Sequence, residues 1–357
     1  MIWQHVLSLS VFSAYLLGIL GLFSLIAYNL SASQSVSHAP FKSWIFGGLT
    51  LVSLAHTWFY MFKYMQWSFL NYESSLETAA SQDQIYRIAS WLYDTSLFEE
   101  AWSHVVFHPL NWWWSEQLCL FTVGAWTVFI ATEGTRHKIK HLWAYMLLGQ
   151  IVAISVASNL FYLALVLSPE APRAEKKSPS IKASPALWLS VLLSLASVAA
   201  TPFTSKQTFL PNLLLMHALL FIPLLSKNAS PARFSISTAA LYRIIHFAAV
   251  LIHLRTVLNA MVFLNYAKHS GPTNPAVAAW VVLNSHPAQS SIGWDIVWTS
   301  LSFAVWKLVG AKASESPNFF STIYLLFATP VASIGVTAPY CLLPRKAARV
   351  EEDVKKE

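Results

Sequence analysis

Apolar residues in this chain fall into long runs separated by short polar stretches. Seven runs approach or exceed the roughly 20 residues that an α-helix needs to cross a bilayer. They are 6–30, 43–70, 112–132, 142–168, 238–264, 292–311 and 319–343. Two shorter runs, 186–203 and 208–225, bring the expected total to nine, or to eight if one of them does not cross. The pattern predicts an all-α, polytopic transmembrane helix bundle, a single domain over 1–343, with a charged cytoplasmic tail at 344–357. The first run is longer than the roughly 7–15 residues of a signal-peptide core, and no Lys or Arg precedes it. It reads as a retained first transmembrane helix.

The longest segment between runs, 71–111, has a different period. Ile85, Ile88, Trp91 and Leu92, then Leu97, Phe98, Ala101, Trp102 and Val105, recur at helical spacing. They predict two short amphipathic helices lying at the membrane interface over the mouth of the bundle. Ser74/Glu77 and Ser96/Glu99 have capping-box spacing. The segment 169–185 is rich in Pro, Ser and Lys and reads as a flexible loop. No internal repeat and no soluble domain is legible.

Composition agrees with a membrane protein. Charged residues make up 11 % of the chain and hydrophobic residues 55 %, where soluble domains carry about 25 % charged residues. The net charge is +7, but the basic residues sit in short loops and the tail, as topogenic signals do. They form no surface for nucleic acid. The basic loop 133–140 and the tail should be cytoplasmic, since cytoplasmic loops are enriched in Lys and Arg. With nine spans the basic segment 169–185 would then face the other side, which conflicts with that rule. Cys119 and Cys341 lie in apolar runs and define neither a disulfide framework nor a metal cluster.

Ionisable residues inside spans are costly and face the protein interior. Glu116 follows three tryptophans in Asn111-Trp112-Trp113-Trp114-Ser115-Glu116. Helical geometry puts Trp112 and Trp113 on its face. Asp295 is placed similarly, sharing a face with Trp298, Thr299 and Ser302. A carboxylic acid in a dry aromatic pocket can protonate an epoxide or alkene, and aromatic π-faces can stabilise the resulting cation. Asp94, in the interfacial segment, is a third acid candidate, and Glu100 is another. Trp58, Tyr60, His56, Asn159 and Arg255 are candidate lining residues. With nine spans Glu116 and Asp295 start on opposite membrane faces; with one fewer crossing between them they start on the same face. The pairs His104/His108 and His137/His141 have the i,i+4 spacing of one histidine box, but the several adjacent-histidine boxes of membrane oxidases do not occur. No nucleotide loop, nucleophile elbow or aspartate-rich diphosphate motif occurs. The residues call for no metal and no cofactor.

The run 112–163, with WWWSEQLCLFTVGAW, HLWAYMLLGQIVAIS and ASNLFYLAL, resembles membrane-bound terpene cyclases of fungal meroterpenoid clusters, of ascofuranone, ascochlorin and macrophorin type. WLYDTSLFEEAW and GWDIVWTSLSFAVW carry the same likeness. The resemblance implies acid-initiated cyclisation of a prenylated aromatic or cyclohexenone in the endoplasmic reticulum membrane. It implies a lipophilic, epoxidised substrate reaching the protein from the lipid. It brings no residue assignment; Glu116 and Asp295 come from the physical reading. A transporter of the pathway's metabolite is the alternative, and a histidine-box oxidase a third.

Overall fold

A computed structural model describes residues 3–32, 40–76, 83–168, 182–226, 234–266, 274–309 and 319–343. It is nearly all helix. Six helical stretches are long and apolar enough to cross a membrane: Trp3–Ser31, Phe41–Ser74, Pro109–Arg136, Pro185–Phe203, Lys206–Leu225 and Thr238–Tyr266. This is an integral membrane helix bundle.

The first two helices are α1 (Trp3–Ala32) and α2 (Pro40–Ser74). Two short helices follow, α3 (Gln84–Asp94) and α4 (Leu97–Val106), where amphipathic helices were expected. The next crossing joins α5 (Pro109–Phe121) to α6 (Thr127–Arg136) through one π-helical turn, Thr122–Trp126. The Thr127 hydroxyl bonds the Thr122 carbonyl across that turn, at 2.7 Å. The Ser96/Glu99 capping box does not form: Ser96, at the N-cap of α4, has φ 48° and no side-chain cap bond. Ser74 bonds the Asn71 carbonyl within α2, and Glu77 lies outside the described residues.

The expected span 142–168 is not one helix. It breaks into α7 (Leu142–Ile151) and α8 (Ile154–Leu167). These pack antiparallel: the rings of Tyr145 and Phe161 lie 5.4 Å apart, and His137 bonds Ser168 at 2.8 Å. The segment is a helical hairpin that enters and leaves on one side. Its arms, about 15 and 21 Å long, are too short for a helix to cross and return separately.

The chain continues through α9 (Pro185–Ala200), α10 (Lys206–Leu219) and the single-turn α11 (Ile222–Leu225). Next come α12 (Thr238–Tyr266), the short α13 (Pro275–Leu283) and α14 (Pro287–Val309). The expected span 319–343 is a second hairpin, α15 (Phe319–Ala332) and α16 (Ile334–Cys341). Tyr324 and Tyr340 meet at 4.8 Å, and Thr329 and Thr337 share a 2.8 Å hydrogen bond. At its tip Ser333 has φ 75°. Two residues on, a Cβ at Gly335 would collide with the Leu120 side chain, so the tip seats against α5.

The two hairpins change the topology. α5 and α14 run side by side in the same direction, since Trp114 abuts Gly293 and Phe121 faces Phe303. Glu116 and Asp295 therefore start on the same membrane face. That face, where α1 begins, is called the first face here. The basic loop 137–141 and the described residues Ser168, Lys182, Ser226, Phe234, Val309 and Leu343 all lie toward the second face; the rest of the basic segment 169–185 and the tail 344–357 lie outside the described residues. β1 (Lys182–Ala183) pairs antiparallel with β2 (Ile236–Ser237) at the second face, so the 169–185 segment is not a loop throughout. The earlier charge conflict came from counting a hairpin as a crossing.

The helices also form two similarly arranged sets, a repeat not expected from the sequence. In one, α2, α4, the α5–α6 crossing and the α7–α8 hairpin follow in order. In the other, α12, α13, α14 and the α15–α16 hairpin do. Each set's long helix packs antiparallel on the other set's crossing: His253 of α12 meets Glu116 of α5, and Phe46 of α2 meets Trp306 of α14. Each crossing starts at a His-Pro pair, His108-Pro109 and His286-Pro287, and each hairpin tip carries Val-Ala, Val152-Ala153 and Val331-Ala332.

In a background lacking Cys119 and Cys341, single cysteines replacing Ser178, Ser230 and Ser314 should react with a membrane-impermeant maleimide from one side. Those replacing Ser81 and Ser270 should react from the other. If Ser178→Cys and Ser81→Cys label from one side, the first hairpin crosses after all.

Candidate functional site

A cavity of about 210 Å³ lies in the half of the bundle nearer the first face. Its walls come from α2, α5, α10, α14 and the tip of the α7–α8 hairpin, and α4 covers it with Phe98, Ala101 and Trp102. The lining is apolar and aromatic, with Tyr64, Trp112, Phe209, Met61 and Met216 among it. Asp295 is its one acidic side chain among the described residues.

α4 is fixed by Glu100, which accepts hydrogen bonds from Tyr64 at 2.8 Å and Ser68 at 2.5 Å on α2. The hairpin tip is fixed by Asp295. The first amides of a helix have no partner within the helix, and α8 has no side-chain cap of its own. Asp295 supplies one from another helix. Its Oδ2 accepts from the Ile154 amide at 2.9 Å and its Oδ1 from the Ser155 amide at 2.8 Å. A carboxylate at a helix N-terminus is favoured by the helix dipole. On the other arm, the Tyr15 hydroxyl donates to the Ile151 carbonyl at 2.8 Å.

Glu116 is fully buried and points away from the cavity. Its Oε2 lies 2.7 Å from His253 Nδ1, and His253 Nε2 lies 3.4 Å from the Val331 carbonyl. The pair ties α5 and α12 to the second hairpin.

Of the sequence candidates, Asp295 and Trp112 line the cavity. Trp113 stacks edge-on against Trp114, outside it. Trp298 donates to His56 at 3.0 Å, and Tyr60 packs on the same histidine. Trp58 packs on Phe62. Asp94 is exposed at the end of α3 and accepts from Tyr72 at 2.5 Å. Arg255 donates to the Ala199 carbonyl at 2.8 Å and stacks on Phe203. Asn159 is buried in α8, behind the cavity. Sequence reasoning missed Ser115, Cys119 and Thr122, which continue the Trp112 side of α5 into the cavity. Their three- and four-residue spacing was a readable signal, but it competed with the face that carries Glu116.

Beside Tyr64, at the first face, His286 stacks on His104 at 4.1 Å and Trp67 packs against both. His104 thus meets His286 rather than pairing with His108, which packs on Phe263. Burial, and then the neighbouring His104, push the His286 imidazole down to about 4.

A family model described as a protein of unknown function, DUF2834, matches residues 99–166. The matched stretch contains most of α4, the α5–α6 crossing and the first hairpin through Val166. No curated protein and no solved structure matches the chain.

Asp295→Ala would leave two buried amides without an acceptor. The expected loss is about 3 kcal/mol or more, measured by thermal or denaturant unfolding in micelles. Asp295→Asn, which keeps one acceptor, should lose less. Equal stability of wild type and Asp295→Ala would remove Asp295 from the role of cap. His286 gives a pH dependence. The folded state holds it neutral down to about 4, while an unfolded histidine takes up a proton near 6.5. Stability should fall as pH drops from about 6.5 to about 4 and then level off. His286→Gln should flatten that slope.

Proposed function

We propose that this protein is a membrane-bound terpene cyclase of fungal secondary metabolism, acting in the endoplasmic reticulum on a prenylated aromatic or cyclohexenone meroterpenoid. The observation that carries the reading is Asp295: one positioned carboxyl group in the wall of a largely apolar, aromatic-rich cavity. Protonated Asp295 gives its proton to a terminal epoxide oxygen or alkene. With the epoxide, the C–O bond breaks as a neighbouring alkene's electron pair forms the new C–C bond. The faces of Trp112 and Tyr64 stabilise the positive charge that passes along the folded chain. Loss of a proton from an adjacent carbon to the Asp295 carboxylate ends the reaction. Atoms and charge balance, so this is an isomerisation that consumes no reductant. Glu116 acts as a positioning residue: through His253 it holds α5, and with it Trp112. By the positive-inside rule the second face is cytoplasmic.

A second reading, a carrier of the pathway's metabolite, is favoured by the repeated helix sets and their two hairpins. In many carriers, substrate sites lie between repeats at discontinuous helices.

Microsomes from a heterologous fungus, given an epoxidised prenylphenol, should return a cyclised isomer without added NADPH. Asp295→Asn should cut turnover by about 10² or more, and Glu116→Gln by less. Full turnover in Asp295→Asn would sink the assignment. Efflux of unchanged substrate from proteoliposomes, with no isomer formed, would favour the carrier.

A further inference from the structure

The cavity wall holds a second ring nitrogen that the fold leaves open. Phe209, Leu213, Met216, His217 and Leu220 of α10 all line the cavity. Their three- and four-residue spacing is one helix face, and Leu214 and Leu215 are exposed on the other. His217 therefore stands toward the cavity rather than toward lipid. Its ring is held by the helix itself: Nδ1 lies 2.7 Å from the Leu213 carbonyl. A carbonyl oxygen only accepts, so Nδ1 carries a hydrogen. No carboxylate among the described residues bonds His217. An unpaired cation within a span is costly, so the ring is neutral. Nε2 is then a lone-pair acceptor, and no group among the described residues donates to it.

The rest of the wall is already engaged. The hydroxyls of Thr57, Tyr64, Ser115, Thr122, Thr201 and Ser291 each donate to a backbone carbonyl. Trp112 offers only an N–H. An imidazole nitrogen is a stronger base than a hydroxyl or amide oxygen, so His217 Nε2 is the best acceptor the wall presents to a ligand. The hairpin tip relates it to Asp295. The side chain of Gln150, on the α7 arm, lies 3.4 Å from the His217 carbonyl, and Asp295 caps the α8 arm. The two groups border the tip from its two arms, and both line the one cavity.

We propose that His217 is the head-group subsite of this cavity: its Nε2 accepts a hydrogen bond from a hydroxyl on the substrate's ring, a phenol or an enol. That bond fixes the ring, and the prenyl chain lies along the apolar wall toward Asp295. His217 binds and takes no proton in the reaction. The subsite rests on the cyclase reading for the class of its ligand.

The test is calorimetric binding of ortho-farnesylphenol and of its O-methyl ether, which lacks the donor, to the purified full chain in micelles. Wild type, His217→Leu and His217→Gln are compared by their phenol-to-ether affinity ratio, in which the probes' different partition into micelles cancels. The wild-type ratio should exceed that of His217→Leu by about fivefold or more. His217→Gln, which keeps an acceptor oxygen, should retain part of the preference. Equal ratios in wild type and both variants would overturn the proposal, as would failure of both probes to bind wild type. The expected ratios with no isomer from the epoxidised phenol would sink the cyclase reading and keep the subsite. Isomer formed equally well by wild type from the epoxidised phenol and its ether would sink the subsite and keep the cyclase.

Discussion

The bond between Asp295 and the first amides of α8 is the interaction on which this structure turns. Inside a bilayer no water is available to satisfy a broken helix. A hairpin tip in the bundle interior exposes amides on one arm and carbonyls on the other. The chain answers with side chains from distant helices: Asp295 for the amides, Tyr15 for the Ile151 carbonyl. The second hairpin is satisfied differently. Ser333 caps its own following turn through Gly335, and His253, bonded to Glu116, reaches the Val331 carbonyl. Each acid thus lies on one set of helices and supports the hairpin of the other.

Topology follows from that arrangement. Because each hairpin returns to the face it came from, α5 and α14 start together and the described residues that border the basic segments gather on one side. The same hairpin makes the cavity. Its tip stops short of the first face, and the space left between α2, α5, α10 and α14 is covered by α4 rather than filled by helix. The acid that secures the tip is then at the cavity wall, so the group that carries the proposed chemistry also holds the local fold. A carboxyl group held by two backbone donors is fixed in direction, and fixed direction is what proton transfer from its acid form to a single carbon or oxygen requires.

Glu116 and Asp295 look alike in sequence, each near the start of an aromatic-rich crossing, yet they have different surroundings. Glu116 pairs with His253 in a buried interface between helices. Asp295 meets the cavity on one side and the first amides of α8 on the other. The rotation of each helix about its axis decides this. On α5, Ser115 and Cys119 face the cavity and Glu116 faces α12, although these residues are neighbours in the chain.

By itself the sequence determined what local chemistry determines: a membrane helix bundle, the apolar stretches that build it, the amphipathic helices over 71–111 and the costly acids buried within spans. These depend on composition and period, which act over a few residues. Hairpin or crossing was undecided for 142–168 and 319–343, because an apolar run of about 25 residues suits both. The helices break at Val152–Ala153 and Ser333, where partners far along the chain satisfy the freed backbone. The repeat was hidden for a related reason: its echoes, a His-Pro pair, an acid and a Val-Ala tip, are short, and the packing that relates them joins the two halves of the chain. Which acid meets the cavity was decided by helix rotation, and that is set by tertiary packing.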